Sequence, residues 1–365
     1  MSLKFATVFR DFEAVHLTKD VGMIPIAMSK IFDSTSRIYY WSKKRNKIIN
    51  NDYKNFVELS PIIASSRLGF LIKLIIVLLR DDIKYLNLYH LKNESFILIF
   101  LSRVFFIKTY LKLDMSIETL ERLHDKKISR YIYRFFIEVV FRIANIVSVE
   151  SEELRKKLHD IFPRCNIIYL PNGIAKETIP ESFFKNNFKK ENVFLVVGRI
   201  GAFQKNHEII LHAISKIRNF RNWKVKFVGP VDNKFLQKID DFFENDSYRD
   251  RFEFLGNKSR EELFNLYENS RVFLLPSRWE GFSIALLEAA YMGCYIVATD
   301  VGGVREVSNN GEFSTIIKGC DNELAHVMQC IIDGTLDTER QREERKKFLE
   351  QEYNLEKNLR KINWK

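Results

Sequence analysis

Between residues 192 and 299 the chain alternates short apolar runs with segments of helical spacing, and this rhythm limits the fold more than any other feature. "NVFLVVGRI" (192–200) is a β-branched, aliphatic run of strand length, and "HEIILHAISKIR" (207–218) carries its apolar residues at helical intervals. The strand pattern returns in "WKVKFVGP", "FEFLGN", "VFLLPS" and "YIVATD", the helical one in "DNKFLQKIDDFFEND", "SREELFNLYENS" and "SIALLEAAYM". Strands joined by helices of this length imply a parallel sheet with right-handed crossovers. The predicted class is α/β, with a doubly wound sheet.

The first half repeats the rhythm less clearly, with strands expected at "FATVFR", "RIYYW", "YLNLYH", "KTYLKLD", "ANIVSVE" and "NIIYLPNG". Residues 171–192 lose periodicity and collect Pro, Asn and Lys, the composition of a linker. A chain of 365 residues has room for two domains, each with its own core. The boundaries are set at 1–172 and 173–345, with 346–365 as a closing helix. Cys165, Cys294, Cys320 and Cys330 form no C-x-x-C pair, so reduced thiols in a cytosolic protein are expected, with no disulfide framework or zinc site. "MSLKFATVFRDFE" breaks any signal peptide with charges, and "LGFLIKLIIVLL" (68–79) is too short for a span and contains Lys73. The expectation is a protein not integral to a membrane.

The formal net charge is +11, and its distribution is uneven. Residues 1–172 hold 28 Lys and Arg against 18 Asp and Glu; residues 173–365 hold 30 against 29. So basic a first half suits an anionic partner: a membrane surface, an anionic lipid-linked substrate or nucleic acid. Lys126, Arg130, Arg134 and Arg142 recur at four-residue steps in "KKISRYIYRFFIEVVFRIAN" (interrupted by Glu138), and "WSKKRNK" (41–47) adds cations. This stripe is either a membrane-facing edge or the solvated edge of a core-packed helix.

In open parallel sheets, ligands bind beyond the carboxyl ends of strands, where loops enter helix N-termini. "VFLLPSRWEGFSIALLEAAYMG" fits that geometry: a strand, a loop at 278–282, then a helix with Ser283 as N-cap and Gly293 as stop. Gly281 admits close approach of a ligand, and the free N–H groups near Phe282, Ser283 and Ile284 favour a phosphate. Glu280 in the loop and Glu288 two turns along the helix could each accept from hydroxyls. Equally, Glu280 could be a loop charge and Glu288 a helix residue paired with a nearby Lys or Arg. "VVGRIGAFQKNHEI" supplies cations at the same sheet edge: Gly198 and Arg199 end a strand and Lys205 precedes a helix. Arg clamps phosphate oxygens bidentately, and Lys acts as a compact charge.

"GRIGAFQKNHEIILHAI", "FEFLGNKSREELFNLY", "VFLLPSRWEGFSIALLEAAYMGCYIVATDVGGVREV" and "IIYLPNGI" together resemble the motifs of the retaining nucleotide-sugar glycosyltransferases of family four. The likeness covers 165–365 well and the first half in outline, and the E-x7-E element together with the upstream Arg199 and Lys205 is what makes it specific. It implies the GT-B fold, two Rossmann-like domains facing each other across a cleft. By this likeness Arg199 and Lys205 would hold the donor diphosphate, Glu280 the sugar hydroxyls and Glu288 the ribose. Gly198, Gly281, Phe282, Ser283 and Ile284 would line sugar and phosphate, and Leu255 and Gly256 would receive the base. Cations in that role imply a reaction without a metal or other cofactor, and no Asp-x-Asp pair occurs in the sequence.

The first half is expected to recognise the acceptor. "TKDVGMIPIAM" offers Gly22 in a loop and Pro25 as a first helical residue, resembling the family's glycine loop with one glycine. Asp114 follows a strand where relatives carry His-Asp; Leu113 stands in place of the histidine, and His90 and His124 are substitutes. "RKKFLEQEYNLEKNLRKINWK" resembles the family's last helix, which crosses back to the N-terminal domain. The expected activity is transfer of a sugar from a nucleotide-sugar, UDP-sugar favoured, to a glycan or lipid-linked acceptor. The expected setting is bacterial surface polysaccharide synthesis at the inner face of the cytoplasmic membrane. A nucleotide-sugar epimerase of the same architecture and a basic nucleic-acid-binding protein are the alternatives.

Overall fold

The computed structural model describes residues 4–43, 49, 51–115, 120, 128–180, 183, 190–242 and 249–364, with backbone only at 128–130. Lys126, His124 and the cations at 44–47 lie outside these residues. The chain forms two compact units: Met1–Thr178 with Tyr353–Lys365, and Ile179–Glu352. The sequence boundaries stand at 172 and 345; the units divide at 178 and 352. The strand-like stretch at Ile174 explains this, since it bridges Asn354 in parallel and its N–H donates to the Tyr353 carbonyl at 2.7 Å.

The first unit runs β1 (Phe5–Val8), α1 (Asp20–Ile31), β2 (Ser36–Ser42), β3 (Val57–Ile63), α2 (Arg67–Arg80) and β4 (Tyr85–Tyr89). It continues through α3 (Asn93–Val104), β5 (Lys108–Leu113), α4 (Ile128–Ile143), β6 (Ile146–Val149), α5 (Glu152–Ile161) and β7 (Ile167–Tyr169). The sheet is parallel throughout, in the order β3-β2-β1-β4-β5-β6-β7. Central strands of such a sheet are covered on both faces, so β1 and β4 are buried at every position. At the edge, β3 keeps Pro61, because an edge strand can spare an N–H. That proline hid β3 from the sequence reading.

The second unit begins with β8 (Glu191–Val197), α6 (Glu208–Ile214), β9 (Lys224–Val228), α7 (Asn233–Phe242), β10 (Phe252–Phe254) and α8 (Arg260–Asn269). It ends with β11 (Ser270–Leu275), α9 (Ile284–Tyr291), β12 (Tyr295–Thr299), α10 (Val304–Val307), β13 (Ser314–Ile317), α11 (Asp321–Asp333) and α12 (Arg342–Glu352). Its parallel sheet has the order β10-β9-β8-β11-β12-β13. Phe194, Val196, Val272, Leu274 and Val297 fill one face of it, with Trp223 stacked on Phe194 at 4.5 Å. Both units are thus doubly wound, Rossmann-like sheets.

One expected loop is helix. Gly22 and Pro25 both lie inside α1, which starts at Asp20. The Lys19 carbonyl accepts the N–H groups of Gly22 and Met23 at 2.9 and 2.8 Å, so the first turn closes before the proline. Pro25 removes one helix bond, and the unbroken burial of Val21–Ser29 offsets that loss. Gly22 has a packing reason: a Cβ there would stand 2.2 Å from the Leu17 carbonyl oxygen.

The last helix, α13 (Leu355–Arg360), belongs to the first unit, with Asn354 accepting from the Lys357 N–H at 2.9 Å as its cap. Beyond it, Trp364 enters the sheet's aromatic cluster, its ring centroid 6.1 Å from Phe5, 6.1 Å from Phe32, 5.8 Å from Tyr85 and 5.7 Å from Tyr110. Its indole N–H donates to the Leu359 carbonyl at 2.8 Å, and the Tyr85 hydroxyl donates to its carbonyl. Trp364→Ala is therefore expected to destabilise the first unit by about 3–5 kcal/mol, measured as a lowered urea midpoint, with Trp364→Phe retaining most of the stability.

Candidate functional site

Each sheet reverses its strand order once, between β1 and β4 in the first unit and between β8 and β11 in the second. Loops leaving such neighbouring strands part to opposite faces and open a crevice at the carboxyl edge. In the second unit the loop after β8 carries Gly198, Arg199 and Lys205, and the loop after β11 carries Glu280, Gly281, Phe282 and Ser283. Residues from two distant stretches therefore meet at one point.

The meeting is an ion pair. Lys205 Nζ lies 2.7 Å from Glu280 Oε1, with side-chain exposures of 15% and 9%. The Ser277 hydroxyl donates to the same oxygen at 2.6 Å. Gln204 links the rest: its amide donates to the Trp279 carbonyl at 2.9 Å, and Arg199 donates to its Oε1 at 3.1 Å. The Arg278 N–H closes the loops together by donating to the Gln204 carbonyl at 2.8 Å. Arg199 itself is exposed. Gln204 and Ser277 were missed by the sequence reading, although both adjoin residues it named.

The loop after β8 is held from below. The Gly198 N–H donates to Val228 O at 2.9 Å, and a Cβ on Gly229 would stand 2.0 Å from the Gly198 carbonyl oxygen. His207 accepts the Gly201 N–H on Nδ1 at 3.0 Å, so it is neutral with its proton on Nε2. Burial, reinforced by Lys205, pushes this imidazole down to about 3. The loop after β11 is wedged likewise: Cβ atoms on Gly302 and Gly303 would strike the Gly281 carbonyl at 2.2 Å and the Phe282 ring at 2.4 Å. The "VGGV" of the sequence is thus the floor of the Glu280–Phe282 corner.

Ser283 caps α9, accepting from the Leu286 N–H at 3.3 Å. The first helix bond runs from Leu287 N to Ser283 O, so the N–H groups of Ile284 and Ala285 have no acceptor within the helix. Further along, Glu288 is buried, and Arg260 Nη1 at the start of α8 donates to its Oε1 at 2.6 Å. Arg260 also stacks over Phe264 at 4.4 Å. Burial raises the Glu288 carboxyl above its ordinary range, and Arg260 opposes the rise. Both carboxylates of the E-x7-E element therefore already hold a cation, as the plainer sequence reading allowed for Glu288.

At the end of β10, Gly256 adopts φ 63°, and its carbonyl accepts from the Gly229 N–H at 2.8 Å. Leu255 N donates to Phe227 O at 2.9 Å, which fixes this corner against β9. A cavity of about 660 Å³ opens at the same sheet edge on the β12–β13 side, lined by Ser277, Arg278, Asp300 and Lys318 among others, and it includes neither Lys205 nor Glu280.

The first unit's reversal point holds a smaller cavity of about 250 Å³, with Phe9, Arg10, His16, His90, Lys92 and Glu94 in its lining. His90, at φ 61°, sits with Nδ1 3.3 Å from the Asp114 carbonyl, and Asp114 itself is exposed at the end of β5. Gly22 is not free to bind an anion, because its N–H is taken by Lys19. Among the described residues no group of three or more His, Cys, Asp or Glu could hold a metal ion.

Residues 178–353 match the family model described as Glycosyl transferases group 1. An uncharacterized glycosyltransferase of Methanocaldococcus jannaschii is 32% identical over 179 residues, 46% of this chain and 45% of that protein. The UDP-Gal:alpha-D-GlcNAc-diphosphoundecaprenol alpha-1,3-galactosyltransferase of Escherichia coli is 27% identical over 198 residues, 52% of this chain and 50% of that one. The chain thus spans about half the length of the relatives it matches. The sucrose-phosphate synthase of Thermosynechococcus elongatus superposes with a TM-score of 0.76 at 13% identity, covering 98% of this chain and 97% of that one. The fold is that of GT-B glycosyltransferases, and the sequence likenesses support a group 1 glycosyltransferase. They favour neither an epimerase nor a nucleic-acid-binding protein.

Arg260 has a measurable consequence. A carboxyl whose folded pKa lies above its unfolded one loses stability as pH climbs through the folded value. Removing Arg260 enlarges that loss, so Arg260→Met is expected to cost about 3–5 kcal/mol at about pH 8 and clearly less at about pH 5. Urea unfolding at the two pH values measures it, and adding Glu288→Gln to the variant should flatten the difference.

Proposed function

We propose that the chain is a retaining glycosyltransferase that moves a sugar from a nucleoside-diphosphate donor, UDP favoured, to a glycan or lipid-linked glycan acceptor. The observation that carries this reading is the Lys205–Glu280 pair at the β8/β11 reversal point, set beside the capped N-terminus of α9. A departing diphosphate gathers negative charge, and cations with helix N–H groups fixed in advance stabilise it without reorganising. Arg199 and Lys205 would neutralise the diphosphate, and the N–H groups of Ser283 and Ile284 would bind its oxygens. Glu280, held by Lys205 and Ser277, would accept from sugar hydroxyls, and Glu288, paired with Arg260, from the ribose. The Leu255 carbonyl and the Gly256 N–H would meet the base. Gly198 and Gly281 keep the backbone close to the ligand.

In the reaction the bond from the anomeric carbon to the diphosphate oxygen breaks. The acceptor oxygen bonds to that carbon on the face being vacated, and a diphosphate oxygen takes the acceptor's proton. No side chain is assigned as general base, and no metal or cofactor is assigned a role. The name of the Escherichia coli relative, with its UDP-sugar and diphosphoundecaprenol, supports the donor and acceptor classes. Asp114 and the cavity around His90 and Arg10 are the candidate acceptor contacts. The basic first half suits an anionic leaflet, in keeping with peripheral attachment and a role in bacterial surface polysaccharide synthesis. Among the described residues no helix is long and apolar enough to cross a membrane.

Near-isosteric changes at Lys205 and Glu280 keep the packing but leave the partner charge unpaired, so turnover and folding are read together. Glu280→Gln and Lys205→Met are each expected to lower turnover about 10²–10³-fold, read as nucleoside diphosphate released in the presence of EDTA. Circular dichroism should show both variants folded. Undiminished turnover in both would defeat the site assignment.

A further inference from the structure

The first unit carries an apolar surface that its fold leaves uncovered. Of the 18 large hydrophobic residues exposed among the described residues, 14 lie on α2, α3, α4 or the turn after α3. On α2, Leu68, Ile72, Ile76 and Leu79 point outward at 68%, 54%, 59% and 44% exposure, spaced as one helical face. Ile97, Phe100 and Val104 do the same on α3. On α4, Tyr131, Ile132, Phe135 and Phe136 form the outer face. The sequence reading had given α4 a basic edge; Arg134 instead lies half-buried over the Phe162 ring at 6.0 Å.

These helices share one core. α2, α3 and α4 cover one side of the sheet, with Phe70, Leu74, Leu98, Ile99, Ile137 and Phe141 turned into a single core. α3 packs on α4, and the Phe96 and Tyr133 rings approach to 6.4 Å. Scattered exposed hydrophobics need no explanation, but outward apolar faces repeated on three helices over one core do. Phe106 extends them: the ring is 92% exposed on a residue held at φ 56°.

The charge on these helices selects the occupant. α2 bears Arg67, Lys73 and Arg80, the last paired at 2.9 Å with Asp81 at the helix C-cap. α3 bears Arg103, while its Glu94 is paired with Arg10, and α4 bears Arg134 and Arg142, the latter paired with Glu138 at 2.7 Å. A second copy of this face would set like charges against like. An anionic leaflet offers an apolar interior beneath a negative surface. At 14 residues, α2 would be about 21 Å long, short of the ~30 Å hydrocarbon core. It can lie in the interface but not span it.

We infer that the outer face of α2, α3 and α4, with Phe106 at its tip, docks flat into an anionic bilayer through its aliphatic and aromatic side chains. This rests on the membrane partner proposed above and not on the sugar chemistry.

Co-sedimentation of the full chain with vesicles of equal parts phosphatidylglycerol and phosphatidylcholine tests it. The wild type should bind and keep most of its binding at about 0.5 M salt, where screening removes purely electrostatic attraction. The double variants Ile72→Asp with Ile76→Asp, and Phe135→Asp with Phe136→Asp, should each lower vesicle partition at least about tenfold. Their melting temperatures and any shift induced by UDP should match the wild type. Vesicle binding equal to wild type in both variants overturns the inference. So does complete release of the wild type by salt, or a self-association by light scattering that the variants abolish while vesicles are ignored. Loss of vesicle binding in the variants upholds it even if UDP shifts no melting temperature, a result that would sink the donor reading alone.

Discussion

The parallel pairing of β8 with β11 is the constraint on which the rest of the second unit's site depends. Val272 and Phe273 sit in register with Phe194 and Leu195, although nearly eighty residues separate them in the chain. That register sets the exits of the two strands side by side and brings Lys205 to Glu280. The energy for it comes from the core, where Phe194, Val272 and Leu274 are almost wholly excluded from water. The ion pair adds little net stability, because desolvating two charges consumes much of their attraction. Its value is positional: it ties the loop after β8 to the loop after β11 at one point of the sheet edge.

Support for that pair is layered in a way that explains several small residues around it. Gly302 and Gly303 allow the loop after β12 to press against the backbone of Glu280 and Gly281 and the ring of Phe282. Gly229 allows the same approach beneath Gly198. His207 spends no charge on its role, since only the neutral ring can accept the Gly201 N–H. Close backbone packing of this kind fixes loop geometry to fractions of an ångström, which is the precision that electrostatic stabilisation of a leaving group requires.

Much of this was legible in the sequence, and the exceptions have physical causes. The strands of the second unit are buried on both faces, so they appear as unbroken apolar runs, and the helices between them keep the helical period. Ser283 announces a cap and Gly293 a stop, and both are found in place, Gly293 at φ 83°. The edge strand β3 was invisible because Pro61 is forbidden in a central strand yet harmless at an edge. Gly22 looked like a loop residue, whereas its missing side chain serves helix packing against Leu17. Arg260 could not be matched to Glu288 from spacing, since the contact joins the starts and middles of two different helices. No local pattern encodes such a partner.

The first unit shows why net charge alone is a blunt guide to a partner. Lys112 is buried against Glu150 at 2.8 Å, Arg10 is held by Asp11 and Glu94, and Arg37 by Glu58 and Asp81. Several of the cations counted in the sequence are therefore neutralised by neighbours, and a surface attraction built from the remainder would fade within a Debye length. Apolar contact behaves in the opposite way, being short in range but insensitive to salt. A face that sets Arg67, Lys73 and Arg103 beside exposed Ile72, Phe100 and Phe135 would combine both: charge would raise the encounter rate with an anionic surface, and burial of apolar area would hold the encounter once made. Helical periodicity reveals that α4 has two faces, but it does not say which one the sheet will cover. Only the packing of Ile137 and Phe141 inward decides that the aromatic residues at 135 and 136 turn out.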